Sequence, residues 1–170
     1  MSSWTENDAL FFQELRKGRK YEEMICRWLN RHGLRAVLFP RFQRDHYDAN
    51  GPHQLSADMR VGGFRIDTKS RAEKFTTPCD FPFPTIFVGT ERKIKAQREA
   101  GCMPDMFICI SQVTRVPIGL PSEYLMGPLE IRNGFDHVRQ IAETWVIKPR
   151  RCWLDGWQIL EWIHAHPRTQ

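Results

Sequence analysis

Little in this chain announces a compartment or a cofactor. No apolar run approaches the roughly 20 residues that a membrane span requires. The opening residues, Met1 to Glu6, show neither the basic start nor the apolar stretch of a secretory signal. A cytoplasmic, intracellular protein with no membrane partner is the expectation. Cysteine is sparse: Cys26, Cys79, Cys102, Cys109 and Cys152 are scattered, odd in number and without a CxxC pair. That pattern signals neither a disulfide framework nor a zinc site. The histidines form no HExxH motif, and His164 and His166 stand two apart instead of at the i, i+4 spacing of helical metal pairs, so they read as a solvated helix end. Internal repeats and low-complexity tracts are missing too. With 170 residues the chain has material for one core, and residues 1–170 are expected to form a single domain.

Positive charge is in modest excess. Lys and Arg total 25 against 20 Asp and Glu, giving a net charge of +5 and favouring a polyanionic partner. Of the tryptophans, Trp28, Trp157 and Trp162 fall in amphipathic patterns and read as core before they read as base-stacking platforms.

Periodicity supplies the elements. Residues 7–31 read as a helix, with Gly18 as a break point and an apolar stripe of Tyr21, Met24, Ile25, Trp28 and Leu29. Gly33 is placed to stop it. Residues 35–42 read as a strand in which Pro40 suggests an edge or a bulge, and 43–55 as a polar loop. The segment containing Pro78, Pro82 and Pro84 reads as irregular. A short strand over 85–88, a helix over 91–100 ending at Gly101, and a buried strand over 106–111 follow. Residues 116–127 are rich in Pro and Gly, 145–147 suggest another strand, and 157–165 a final amphipathic helix. The order implies an α/β or α+β fold, a mixed central sheet flanked by helices.

Residues 56–69 carry most of the information. Gly62-Gly63 between two alternating runs is a two-residue hairpin signal. That turn pairs Val61 with Phe64, Arg60 with Arg65, Met59 with Ile66 and Asp58 with Asp67. Met59, Val61, Phe64 and Ile66 then share an apolar face, while Asp58, Arg60, Arg65, Asp67 and Lys69 share the other. Directly opposed carboxylates have Cβ atoms about 4.5–5.5 Å apart. Such closeness is destabilising unless a cation lies between them or one takes up a proton. Lys69 stands about 6.6–7 Å further along the strand. Oxygen ligands of this kind favour Mg²⁺ or Mn²⁺. An ordinary polar hairpin face, with Arg60 and Arg65 neutralising the aspartates, satisfies the same spacing.

Ser56, Ala57 and Asp58, followed by Ile66-Asp67-Thr68-Lys69-Ser70-Arg71, resemble the signature of the PD-(D/E)XK nuclease superfamily. The layout is similar to that of Holliday-junction resolvases and small phage nucleases. The match covers residues 18–71; alanine stands where proline is usual before Asp58, and Asp67 where glutamate is commoner. The resemblance implies a restriction-endonuclease-like core and Mg²⁺-dependent endonucleolytic hydrolysis of DNA phosphodiester bonds. It also implies a catalytic set of Glu22, Asp58, Asp67 and Lys69. Asp58, Asp67 and Glu22 would hold the metal, Glu22 by way of water, and Lys69 would orient the attacking water or stabilise developing charge. DNA is the implied partner. A homodimer is compatible with the resemblance, as is a phage-encoded protein acting inside a bacterial host.

Glu23 rivals Glu22, one residue on and 100° around the helix; Glu22 ranks ahead because it borders the apolar stripe. Arg71, Lys93, Lys95 and Arg98 are the expected nucleic-acid contacts, with a second basic cluster at Arg16, Lys17, Arg19 and Lys20. The competing expectation is a catalytically inactive nucleic-acid-binding or interaction module on the same fold.

Overall fold

A 26-residue helix, α1 (Glu6–Arg31), opens the fold of the computed structural model, which describes residues 6–40, 57–136 and 141–166. The helix runs through Gly18 without interruption. It ends in a Schellman motif: Gly33 takes φ +80°, its N–H donates to the Asn30 carbonyl at 3.1 Å, and Leu34 N–H reaches back to the Leu29 carbonyl at 3.1 Å. β1 (Ala36–Leu38) is shorter than the expected strand over 35–42, whose last two residues lie outside the described residues, as does the expected loop 43–55.

The hairpin β2 (Met59–Val61) and β3 (Phe64–Arg71) follows, turning at Gly62, the one turn residue with positive φ (+56°). β4 (Thr85–Thr90) leads directly into α2 (Glu91–Glu99), with Thr90 Oγ1 accepting from Lys93 N–H as the N-cap. Next come β5 (Met106–Ser111) and β6 (Pro117–Pro121), then β7 (Ile131–Asp136), β8 (Ile141–Pro149) and α3 (Gly156–Ala165). Asp155 and Gln158 close a capping box on α3. Two short 3-10 turns, over Ser122–Leu125 and Arg150–Cys152, complete the order.

The strands form a five-stranded sheet, β1-β2-β3-β5-β6, and a three-stranded sheet, β4-β8-β7. Within the larger sheet β3 and β5 are parallel and every other pair is antiparallel, so the sheet is mixed, as expected. The stretch 116–127, read from sequence only as rich in Pro and Gly, contains β6; its two prolines end an edge strand, where a missing N–H costs no ladder bond.

All six residues of β5 are buried because both faces of the larger sheet are covered. Met106, Ile108 and Ile110 meet Ile25 and Leu29 of α1 and Ile159, Leu160 and Ile163 of α3. Phe107 and Cys109 join Phe75, Phe81, Ile86, Ile94, Val146 and Trp153 in a second core on the side of α2 and the smaller sheet. Among the described residues no helix is long and apolar enough to cross a membrane.

Candidate functional site

The register of the hairpin is the expected one over three pairs, Val61 with Phe64, Arg60 with Arg65 and Met59 with Ile66. Met59, Val61, Phe64 and Ile66 are all buried in the α1-side core. Alternation then sends Asp67 and Lys69 to the other face, beside Phe107 and Cys109, their parallel partners on β5.

The fourth expected pair, Asp58 directly opposite Asp67, does not form. The ladder stops at Met59–Ile66, and Asp58 lies in a bend, its N–H donating to the Ile66 carbonyl at 2.9 Å. The cause is local. Asp58 Oδ2 accepts from Thr68 N–H at 2.6 Å and from the Thr68 hydroxyl at 2.9 Å, doing the work of a ladder carbonyl. The Asp58 carbonyl, in turn, accepts from Phe39 N–H at 2.9 Å. The carboxylate is thereby fixed at the end of β2, against β3.

Asp67 is 0% exposed. Lys69 Nζ donates to its Oδ2 at 2.9 Å, and Lys93 Nζ of α2 lies 3.1 Å from Oδ1 and 3.2 Å from Oδ2. Burial raises the pKa of Asp67, but the two ammonium groups outweigh it and hold the carboxyl well below the usual carboxylate range. Lys69 responds in kind. Burial opposes its charge, and Asp67 and Asp58 more than compensate, so its pKa is raised. Lys69 also donates to the Thr68 carbonyl at 3.0 Å and keeps a third of its side chain open to solvent.

Asp58 shows the opposite balance. Burial first, then the negative charge of Asp67, push its carboxyl up to about 6; Lys69 and Lys93 pull the other way, and Glu22 adds to the rise. Oδ2 is occupied by Thr68, and among the described residues no donor reaches Oδ1. Among the described residues this is the carboxyl of the cluster without an ion-pair partner.

Of the two helical glutamates, Glu22 is buried at 5% exposure, while the Glu23 side chain is 49% exposed. Glu22 Oε2 accepts from Arg19 at 3.1 Å, and the same Arg19 nitrogen donates to the Phe39 carbonyl at 3.1 Å. Phe39 is the residue whose N–H bonds Asp58. Glu22 therefore approaches the site from the α1 side, whereas Asp67 faces α2. Among the described residues no three His, Cys, Asp or Glu side chains converge into a ready-made cage, so the expected three-carboxylate ligand set is not assembled at one point.

No family model, curated protein or solved structure matches the chain.

The expected nucleic-acid contacts are dispersed. Arg71 donates to the Phe87 carbonyl at 2.7 Å and lies over the Phe87 ring, 5.6 Å from its centroid, which turns it inward under β4. It also faces Cys109, whose thiol burial pushes up to about 12. Arg98 donates to the Gly127 carbonyl at 2.8 Å. Lys95 is exposed and pairs with Glu91 at 2.6 Å, one turn back along α2. Lys93 is not on a solvated helix face at all; it is the second lysine of the site, 16% exposed. The sequence carried a signal for this. Lys93 precedes Ile94 and stands four residues before Gln97, the two buried residues of α2.

Proposed function

We propose that the protein is a metal-dependent nuclease that hydrolyses DNA phosphodiester bonds and cuts internally. The observation that carries this reading is the asymmetry of two neighbouring carboxyls. Asp67 is buried and held ionised by Lys69 and Lys93; Asp58, beside it, is short of positive charge. A divalent cation held by Asp58 would supply that charge. The donor chemistry fits Mg²⁺ or Mn²⁺, hard ions that take one or two carboxylates plus substrate phosphate and retain water, without needing an all-protein cage. Asp58 through Oδ1 and Asp67 through lone pairs not used by the lysines would hold it, with Glu22 reaching it through water. When bound, such an ion neutralises phosphate charge and lowers the pKa of a bound water.

The remaining roles fall to the chain itself. Lys69, partly open to solvent, orients the attacking water and stabilises negative charge developing on the phosphoryl oxygens. The water oxygen bonds to phosphorus as its proton passes to solvent, the bridging P–O bond breaks, and the departing oxygen takes up a proton from solvent. Lys93 keeps Asp67 ionised, and Thr68 fixes the direction of Asp58. The resemblance of Asp58 and Asp67-Thr68-Lys69 to the PD-(D/E)XK signature supports the same reading.

A second reading has an observation of its own. Glu22 is already paired with Arg19, and Asp67 with two lysines, as in a structural ion network of an inactive nucleic-acid-binding or interaction module. A cleavage assay separates the two. Purified protein with Mg²⁺ or Mn²⁺ is expected to cut at least one of duplex, single-stranded, flapped and four-way DNA, and Lys69→Ala is expected to abolish cutting with the fold intact. Wild type inert on the whole panel, yet binding DNA in a salt-sensitive way, would favour the second reading.

A further inference from the structure

On the far flank of α1 from Glu22, a groove of about 420 Å³ runs between that helix and the β5–β6 connection. Lys20, Arg27, Arg31 and Arg115 line it, over a floor that includes Trp28 and Ile110. Among the described residues none of these four cations is paired with a carboxylate. Their helical neighbours differ: Lys17 pairs with Glu14, and Arg19 with Glu22 and Glu23. Lys17 lies on the same stripe, three residues before Lys20, so the charge left unpaired on α1 is that of Lys20, Arg27 and Arg31.

Arg115 adds a second, independent feature. It is the one non-glycine among the described residues with positive φ, +61°, where glycine is the residue without a steric penalty. The connection places an arginine there, and that arginine lines the groove from the side opposite α1.

The groove opens on the α1 face of the sheet, where Ile25 and Ile110 pack, whereas Asp67 and Lys69 face the α2 side. Along the sheet, Ile110 pairs with Ser70, the residue after Lys69, and Pro117 pairs with Ile110, so β6 is two strand spacings, roughly 10 Å, from β3. We propose that this groove is a track for the phosphate backbone of a nucleic acid, outside the catalytic site. That the nucleic acid is also a substrate rests on the nuclease reading; the cationic track does not. Contacts of this kind position a polyanion without reading its sequence.

The test is binding of labelled duplex DNA, single-stranded DNA and RNA in the presence of chelator, so that no turnover intervenes. Wild type is compared with Arg27→Glu/Arg115→Glu and with a charge-matched control, Arg132→Glu/Arg151→Glu, at exposed positions elsewhere. Thermal melts confirm that each variant is folded. The groove variant is expected to weaken affinity at least tenfold and, on duplex, to lower the slope of log K against log salt by about 2, near 0.9 per lost phosphate contact. The control is expected to lose much less. Equal losses in both variants, unchanged affinity in the groove variant, or no binding by wild type at low salt would each overturn the proposal. Cleavage is scored separately with Mg²⁺. Cutting with groove-independent binding sinks the track alone; groove-dependent binding without cutting sinks the nuclease reading alone.

Discussion

Lys93 Nζ lies 3.1 Å and 3.2 Å from the two oxygens of Asp67, a carboxylate 26 residues earlier in the chain, and so joins α2 to the centre of β3. With Lys69 on the same carboxylate, Asp67 has two counter-charges where a hairpin read from sequence supplies one. Removing either lysine leaves a paired ion; removing both leaves a naked charge in the core.

Stability should register that difference. Lys69→Ala and Lys93→Ala are each expected to lower unfolding free energy modestly. The double variant should lose roughly 3–5 kcal/mol, the scale for a buried charge stripped of partners, and more than the sum of the single losses. Urea denaturation of the three variants checks this. Additive losses would show that the lysines do not share Asp67.

Asp58 makes the metal-free protein pH-sensitive. Its carboxyl is raised in the folded state to about 6 from an ordinary value of 3.8, so between those values the folded chain binds more protons than the unfolded one. Stability in chelator therefore falls as pH rises through that window, by an upper bound of roughly 3 kcal/mol, and then levels off. Asp67, shifted downward, contributes stability that is present above its unfolded pKa and is lost only as pH falls towards its folded one, which leaves the slope above pH 4 to Asp58. Chemical denaturation at a series of pH values should show this slope in wild type and lose it in Asp58→Asn.

The two glutamates of α1 should separate by activity. Glu22→Gln is expected to reduce metal-dependent cleavage roughly 10–100-fold, the usual cost of losing a group that supports a metal from behind its direct ligands. Glu23→Gln, at an exposed position, should leave the rate unchanged. Equal effects in a steady-state cleavage assay would contradict the burial-based assignment.

Gly119 on β6 tests the packing that carries α3. A Cβ there would meet Ile159 Cγ1 at 2.7 Å and Met106 Sδ at 3.0 Å. Gly119→Ala should cost about 1–3 kcal/mol by overpacking, seen as a lower denaturation midpoint with no change in metal affinity.

The sequence made the hairpin legible because a Gly-Gly turn fixes register and alternation sorts the two faces; both features act within a dozen residues. Asp58 broke the pattern at its last step. A side chain that accepts the Thr68 N–H ends the ladder there, and no periodicity reports such a substitution of side chain for backbone. Lys93 was read as a nucleic-acid contact because helix phase does not tell which neighbour a flank will meet, and here it meets β3. Arg71, the last residue of β3, was read as a phosphate contact, yet the Phe87 carbonyl and ring claim it from β4. β6 went unread because its prolines mimic a loop when the edge of the sheet is unknown. Helix ends fared best: Gly33 and Gly101 both take positive φ where the apolar periodicity stops.

Direct titration of Mn²⁺, followed by its electron paramagnetic resonance signal with a non-cleavable duplex present, tests the central claim most closely. Wild type should bind Mn²⁺ in competition with Mg²⁺, and Asp58→Asn should weaken that binding at least tenfold. Equal Mn²⁺ binding by wild type and Asp58→Asn, or no binding by either, would contradict a divalent cation at the Asp58–Asp67 pair.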